Sequence, residues 1–126
     1  MLLKQVIEAR DVLKRLATKS CKPQLAYSIM KILKETADNE DFYVDKYREI
    51  MDECAIKDKD GSYKVEKGLF VLKDGCKDKF NEKMTELCSI EVENTGRKLK
   101  LSELEESLNL TPNDMYSLDI FIAEEQ

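Results

Sequence analysis

The sequence predicts a mostly helical α+β fold with an N-terminal antiparallel helical hairpin, a long second helix, a small antiparallel β-hairpin and short C-terminal helices. Between Pro23 and Cys54 there is no Gly or further Pro, and apolar residues recur there at spacings of three and four. Beyond that stretch, short segments alternate apolar and polar residues between glycine-containing turns, as short strands do. We therefore expect a single domain over residues 1–126, with a helical hairpin at 1–56 and an α+β cap at 57–126.

The first predicted helix covers residues 2–19, where apolar side chains recur every three or four positions. Residues 20–22 connect it to Pro23, whose fixed φ suits the first position of a helix. A connection of this length returns the second helix antiparallel along the first. Because the first helix is only about half as long as the second, another part of the chain must cover the remainder.

The second predicted helix would be roughly 45–50 Å long if it were continuous, against a diameter of about 28–30 Å for a domain of this size. Its middle, residues 36–41, is polar on all sides. The helix therefore projects, bends at this polar middle, or is covered by a second copy of the chain. One apolar register runs along it, with Glu40 as its charged member: Ala26, Met30, Leu33, Ala37, Val44, Tyr47, Met51 and Cys54. The ordinary interpretation of this register is core packing. The alternative is that part of it forms an interface, for which we predict the protein-interaction residues Met30, Val44, Tyr47 and Met51.

The segment after the long helix predicts turns and strands around a third helix. Residues 57–62 and 73–75 each contain Asp-Gly, which readily forms tight turns. The predicted elements, in order, are a strand at 63–66, a buried strand at 69–72, a helix at 76–89, and a hairpin that pairs IEVE (90–93) with residues 97–101 across an Asn94–Gly96 turn.

Two short helices complete the prediction. Ser102 begins an acidic helix, with Glu105 three residues later as its capping partner. Thr111 is the predicted N-cap of the last helix, with Pro112 at its first position, and this helix is expected to continue to about Glu124.

The composition favours a cytoplasmic protein. Charged residues make up 37% of the 126 residues, and no apolar run approaches the roughly 18 residues of a membrane span. Charges interrupt the N-terminal segment where a signal peptide would need an apolar core. The four cysteines are scattered, and reduced, buried thiols are the expectation for such a pattern.

Charge is unevenly distributed along the chain. Residues 1–34 contain eight Lys/Arg and two acidic residues, a net charge of +6, while residues 35–126 carry a net charge of −11. This asymmetry can steer like chains together head to tail, or it can be neutralised within the fold. A nucleic-acid surface would have to use the basic N-terminal positions, which are Arg10, Lys14, Arg15, Lys19, Lys22, Lys31 and Lys34. The overall net charge of −5 disfavours such binding.

The sequence offers few candidate residues for catalysis or metal binding, and we expect neither an enzyme nor a bound cofactor. The chain contains no histidine, and its cysteines lack the paired spacing of zinc sites. Cys76 lies at a predicted helix start with Lys73, Lys77 and Lys79 nearby, which could activate a thiol. An EF-hand alignment on Gly61 fails, because Ile56 and Lys67 then occupy ligand positions that require acidic residues.

The chain resembles a family of small uncharacterised proteins of tailed bacteriophages and prophages of Gram-positive bacteria. The similarity includes the Lys22-Pro23 corner, the charged turn at 57–61 and, most closely, FNEKMTELCSIEVENTGRKLKLSELEESLNLTPNDMYSLDIFIAEE at 80–125. The chain departs from the family at residues 65–72, where an apolar LFVL replaces a short polar link. Members are usually encoded among phage late or structural genes, so the resemblance implies a virion-associated or accessory protein and transfers no catalytic residue.

The leading hypothesis is therefore a non-enzymatic phage accessory protein that acts by protein–protein interaction, as a monomer or homo-oligomer, in head or tail assembly. It would act in the cytoplasm of the infected or lysogenic host, or within the virion. The alternative is a phage-encoded inhibitor whose acidic C-terminal surface occupies a basic cleft of a host or defence protein. A cysteine-based enzyme and a nucleic-acid binder rank below both.

Overall fold

A computed structural model describes residues 1–94 and 96–123 and confirms the mostly helical α+β fold class. The elements, in chain order, are α1 (Leu3–Leu16), α2 (Pro23–Glu35), α3 (Ala37–Cys54), β1 (Val65–Glu66), β2 (Leu69–Phe70), α4 (Lys77–Cys88), β3 (Leu99–Lys100), α5 (Pro112–Leu118) and β4 (Ile122–Ala123). Single 3₁₀ turns lie at Leu101–Glu103, Glu106–Leu108 and Asp119–Phe121.

Helices α1 and α2 form the predicted antiparallel hairpin. The chain reverses between Leu16 and Pro23, and Pro23 is the first residue of α2, where its missing N–H costs no hydrogen bond. Leu16 packs in one apolar cluster with Leu25, while the Arg10 guanidinium, nearly two turns earlier in α1, reaches the carbonyl of Leu33. The two helices therefore run in opposite directions along a shared apolar face.

The predicted long helix is two helices, because the chain bends at the polar middle. Thr36 separates α2 from α3 with a non-helical φ of −107° and ψ of 4°. Its side chain is fully buried, and its hydroxyl donates a hydrogen bond of 2.7 Å to the carbonyl oxygen of Ile32. A threonine hydroxyl bonded to a carbonyl four residues earlier commonly bends a helix.

Arg10 of α1 stabilises the bend from the opposite side. Its Nη1 donates hydrogen bonds of 2.6 Å to the Leu33 carbonyl oxygen and to Thr36 Oγ1. Its Nε and Nη2 donate to Glu40 Oε2 at 2.9 and 2.7 Å, and Lys14 also hydrogen-bonds the Glu40 carboxylate. We call these five residues the Arg10 network. It joins α1 to both sides of the bend, so Glu40, the charged member of the apolar register, is an anchor for the bend.

The Arg10 network makes the stability of the fold sensitive to acid. Burial alone would raise the pKa of Glu40, but hydrogen bonds from Lys14 and Arg10 outweigh it and lower the pKa below its ordinary value of 4.5. A carboxylate with a lowered folded-state pKa contributes stability that is complete above its unfolded pKa and is lost as the pH falls through the folded pKa. We expect the melting temperature of the wild type to fall more steeply than that of Glu40→Gln between about pH 5 and about pH 3. Parallel curves would show that Glu40 does not couple folding to protonation.

The larger apolar cluster lies between α1, α2 and the C-terminal segment. Buried leucine and isoleucine side chains from α1 and α2 meet Leu99, Leu108, Leu118 and Phe121, each with an exposed fraction of 1% or less. The last third of the chain is therefore packed onto the helical hairpin.

A smaller cluster covers α3, the second half of the long segment. Leu3, Ile50 and Leu87 bring together α1, α3 and α4, with Phe80 and Met84 of α4 packed against them. The cover therefore comes from the start of α1 together with α4, which extends from Lys77 to Cys88, close to the third helix predicted at 76–89.

The β1–β2 hairpin forms where the sequence predicts a strand, a break and a second strand. Val65 pairs with Phe70 and Glu66 with Leu69, and Lys67 and Gly68 turn the chain with φ of 53° and 79°. The prediction that residues 69–72 form a buried strand is wrong. Leu69 is 73% exposed and Phe70 48% exposed, because the hairpin lies on the surface.

The predicted hairpin between IEVE and residues 97–101 is also wrong. Around IEVE, Leu3 N–H donates to the Ile90 carbonyl oxygen at 2.8 Å, and Val92 N–H donates to that of Met1 at 2.9 Å. Strand β3 pairs in parallel with β4 at the C-terminal end of the described chain. The two segments that we predicted to pair with each other therefore bond instead to the first residues of the chain and to β4. Thr95 of the predicted turn lies outside the described residues.

The C-terminal helices are only partly as predicted. The acidic segment from Ser102 forms two 3₁₀ turns instead of an α-helix. Thr111 is the N-cap of α5: its Oγ1 accepts from Asp114 N–H, and Asp114 Oδ2 accepts from Thr111 N–H, both at 3.1 Å. Helix α5 ends at Leu118, before the strand β4, so the predicted continuation is wrong, and its expected end near Glu124 lies outside the described residues.

Candidate protein-interaction surface

A groove of about 450 Å³ lies between α3 and α4, and we call it the α3–α4 groove. The spacing of three and four residues places one set of side chains from α3 along one wall. The last turns of α4 and the residue Ile90 form the other wall. The lining residues are Phe42, Lys46, Glu49, Ile50, Glu53, Lys83, Glu86, Leu87 and Ile90.

Apolar side chains form the centre of this groove. Ile50 and Leu87 are buried in the smaller apolar cluster and form its floor. Phe42 and Ile90 continue the apolar surface outward and are 44% and 37% exposed. An exposed aromatic side chain next to an apolar floor is the composition that protein-binding patches favour.

Ion pairs border the groove. Lys46 pairs with Glu49 at 3.2 Å and lies over the Phe42 ring, 5.9 Å from its centroid. Glu53 is hydrogen-bonded by both Lys79 and Lys83, and these two contacts, despite some desolvation, lower its pKa to about 2. The border is therefore charged at neutral pH and below it, so a partner meets an apolar centre within a charged rim.

The structure divides the four residues predicted as the interaction surface. Met30 of α2 and Val44 of α3 are 44% and 40% exposed. Tyr47 is half-buried and stacks on Tyr43, with ring centroids 6.1 Å apart. Met51 is fully buried, so it is part of the core in the folded monomer and the expectation that it is exposed is wrong.

The bend at Thr36 explains why the predicted register divides. In α2 the register residue Met30 faces outward while its neighbours Ile29 and Ile32 are buried. In α3 the register returns to the core only at Met51 and Cys54. A single continuous helix would have kept one stripe on one side, but two helices that meet at a bend do not.

Sequence reasoning missed Phe42 and Ile90. Phe42 lies outside the apolar register of the long segment. The only sequence feature that marks it is its position as an aromatic residue directly after the acidic stretch at 38–41. The sequence predicts Ile90 to lie in a strand. Ile90 lies near α3 because α4 packs against α3, and no local sequence pattern specifies that packing.

A second exposed apolar surface lies on α2, which we call the α2 outer face: Tyr27, Met30, Lys31 and Lys34. These positions recur at intervals of three or four, so they share one side of the helix. Tyr27 is 54% exposed, and Lys31 Nζ lies 5.9 Å from its ring centroid. Beside this face, Met30 also lines a smaller apolar groove of about 260 Å³ between α1 and α2.

The cysteines show no arrangement for nucleophilic catalysis. Cys76 is the N-cap residue of α4 and is half-buried, and its side chain lies next to Cys54. Burial raises the pKa of the Cys54 thiol, and the contact with Cys76 raises it further. Of the three lysines near Cys76 in sequence, Lys79 is engaged by Glu53. Within residues 1–94 and 96–123, no three side chains of the Cys, Asp and Glu type converge as a metal site.

Many of the basic N-terminal positions are used inside the fold. Arg10 and Lys14 bind Glu40, and Arg15 pairs with Asp114. Lys19 donates to the Leu108 carbonyl oxygen at 2.7 Å, and Lys22 lies 3.9 Å from Glu105. The basic half of the chain and its acidic half thus neutralise each other in part, which leaves Lys31 and Lys34 of the α2 outer face as basic positions on the surface.

No family model, curated protein or solved structure matches this chain. In the part of the chain that the structure describes, no helix has the length and apolar character needed to span a membrane.

Proposed function

We propose that this protein is a non-enzymatic binding module that recognises another protein through the α3–α4 groove. The observation that carries the proposal is the exposed Phe42–Ile90 surface, continuous with the apolar floor at Ile50 and Leu87. Exposed apolar area of this kind costs solubility unless a partner covers it.

The shape of the groove favours a helical segment as the bound element. Two helices border it, and a third helix can place a ridge of side chains between them, as helices pack in protein cores. Its charged rim suits a partner segment that has apolar residues on one side and charged residues on both flanks. The bound segment would thus extend the helical layer formed by α3 and α4.

The resemblance to phage proteins gives this binding a biological setting. It favours an accessory role in the assembly of a phage head or tail, in the cytoplasm of an infected or lysogenic bacterium or in the virion itself. In such a role the protein would bind a structural protein of the same phage.

Inhibition of a host protein by the acidic C-terminal surface is less well supported. A decoy for a basic cleft needs acidic groups that are directed outward. Of the acidic residues after Leu101, Asp119 is exposed, but Asp114 pairs with Arg15 and Glu105 lies near Lys22, so part of the acidic charge is used within the fold.

Capture experiments with matched variants test the proposed function. We expect tagged wild type to capture a specific phage structural protein from infected cells. Phe42→Asp should capture at least about tenfold less of this protein, because it places a charge in the apolar centre. Val44→Asp is the matched control, because Val44 lies on the same helix with nearly equal exposure, 40% against 44%, outside the groove.

Three other outcomes would contradict the proposal. Equal capture by wild type and Phe42→Asp would exclude the groove, and loss of capture only in Val44→Asp would favour the surface predicted from the sequence. Capture of a host nuclease or polymerase in place of a phage structural protein would favour the inhibitor hypothesis. Circular dichroism of both variants must match the wild type, so that lost capture does not reflect unfolding.

A further inference from the structure

We infer that the α3–α4 groove binds the α2 outer face of a second copy of this chain. The inference rests on the proposed function and names the partner of the same groove. It follows from two unlike surfaces on one molecule: an apolar groove with a charged rim, and a helix face with two exposed apolar residues and two lysines.

The apolar parts of the two surfaces match in kind. The α2 outer face offers Tyr27 and Met30, which are 54% and 44% exposed and lie one turn apart. The groove offers Phe42 and Ile90 above a buried floor. Tyrosine buries a large area at low entropic cost, methionine adapts its shape to a neighbouring aromatic ring, and both residues are enriched at interface centres.

The charges around the two surfaces are complementary. The charged residues that line the groove are Glu49, Glu53 and Glu86 against Lys46 and Lys83, a net charge of −1. The α2 outer face adds Lys31 and Lys34, a net charge of +2, whereas most other basic residues of the N-terminal segment pair within the fold. Opposite potentials of this kind favour encounter and fix the relative orientation of two partners.

The same charges disfavour contact between identical surfaces. Placing α2 against α2, or groove against groove, would bring like charges together. A two-fold dimer in which each groove takes the partner's α2 outer face avoids this and is closed. A dimer held by one such contact keeps one free groove and one free α2 outer face, and its association continues to a ring or an open chain.

Mixing two monomeric variants tests this arrangement. Met30→Asp disables the α2 outer face but keeps the groove, whereas Phe42→Asp disables the groove but keeps the α2 outer face. By light scattering we expect the wild type to self-associate, and each variant alone to stay monomeric, with its dissociation constant raised at least about tenfold. An equimolar mixture should form a 1:1 dimer and nothing larger, because only one competent pair of surfaces remains.

Each alternative outcome overturns the inference. A wild type that is monomeric at every concentration excludes self-association, while groove-dependent capture of another protein in the experiment above would still support the proposed function. Two monomeric variants that remain monomeric when mixed exclude contact between the groove and the α2 outer face. Tyr27→Asp and Ile90→Asp repeat the test with independent residues if either first variant unfolds, and Tyr116→Asp, at a side chain that is 79% exposed elsewhere, must leave assembly unchanged.

Discussion

Replacing Arg10 by methionine is expected to lower the free energy of unfolding by about 3 kcal/mol, the scale for removing one partner of a buried ion pair. Arg10 is only 6% exposed and donates to the Leu33 carbonyl, to Thr36 and to Glu40. Methionine fills similar space but donates no hydrogen bond. The Leu33 carbonyl would lose its charged donor, and Glu40 would keep only Lys14 as a cationic partner.

Arg48→Met is the control for the Arg10 substitution, because Arg48 is an exposed arginine on α3. Its replacement should change the free energy of unfolding by less than about 0.5 kcal/mol, as surface substitutions usually do. Urea denaturation of both variants provides the comparison. Similar stabilities of the two variants would show that the Arg10 network does not hold the bend at Thr36.

Phe121→Ala is expected to lower the free energy of unfolding by about 4 kcal/mol, within the range for phenylalanine truncation in protein cores. Phe121 is fully buried in the larger cluster, together with Leu13 and Leu99. Its 3₁₀ turn leads directly into β4, which pairs with β3. The truncation therefore removes apolar contacts and weakens the attachment of the C-terminal segment.

Tyr116→Ala tests whether this loss is specific to the buried position. Tyr116 is an aromatic residue of α5, only five positions away, but it is 79% exposed. Its truncation should cost less than about 0.5 kcal/mol by urea denaturation. If Phe121→Ala costs no more than Tyr116→Ala, the C-terminal segment is not part of the cooperative core.

Local chemistry made several elements predictable from the sequence. Pro23 and the Thr111–Asp114 capping box mark the starts of α2 and α5, because fixed φ and side-chain caps act within a few residues. The β1–β2 turn at Lys67-Gly68 is likewise encoded by residues that tolerate positive φ. Each of these signals is complete within about four residues.

Pairing between distant segments was not predictable. IEVE and residues 97–101 both have the alternation of strands, but alternation does not specify a partner. The first residues of the chain bond to the former, and β4 pairs with the latter. The capping pair of Ser102 and Glu105 also predicted an α-helix in the acidic segment. The structure has two short 3₁₀ turns there.

The candidate surface was predicted in region but not in detail. The sequence indicated that the long helix needed cover beyond the polar middle, and α4 and the start of α1 provide it. The side of α3 that stays open depends on how these helices pack against it after the break at Thr36. The candidate surface therefore includes Phe42 and not the buried Met51, a difference that no periodicity in α3 specifies.

Nuclear magnetic resonance of isotope-labelled protein tests most directly the central claim that the α3–α4 groove binds the α2 outer face of a second copy. We predict that raising the concentration of unlabelled protein shifts and broadens the signals of Phe42 and Ile90 together with those of Tyr27 and Met30. Signals of the exposed β1–β2 hairpin, such as Leu69, should stay unchanged. Shifts confined to that hairpin, or shifts at Val44 without shifts at Phe42, would contradict the account.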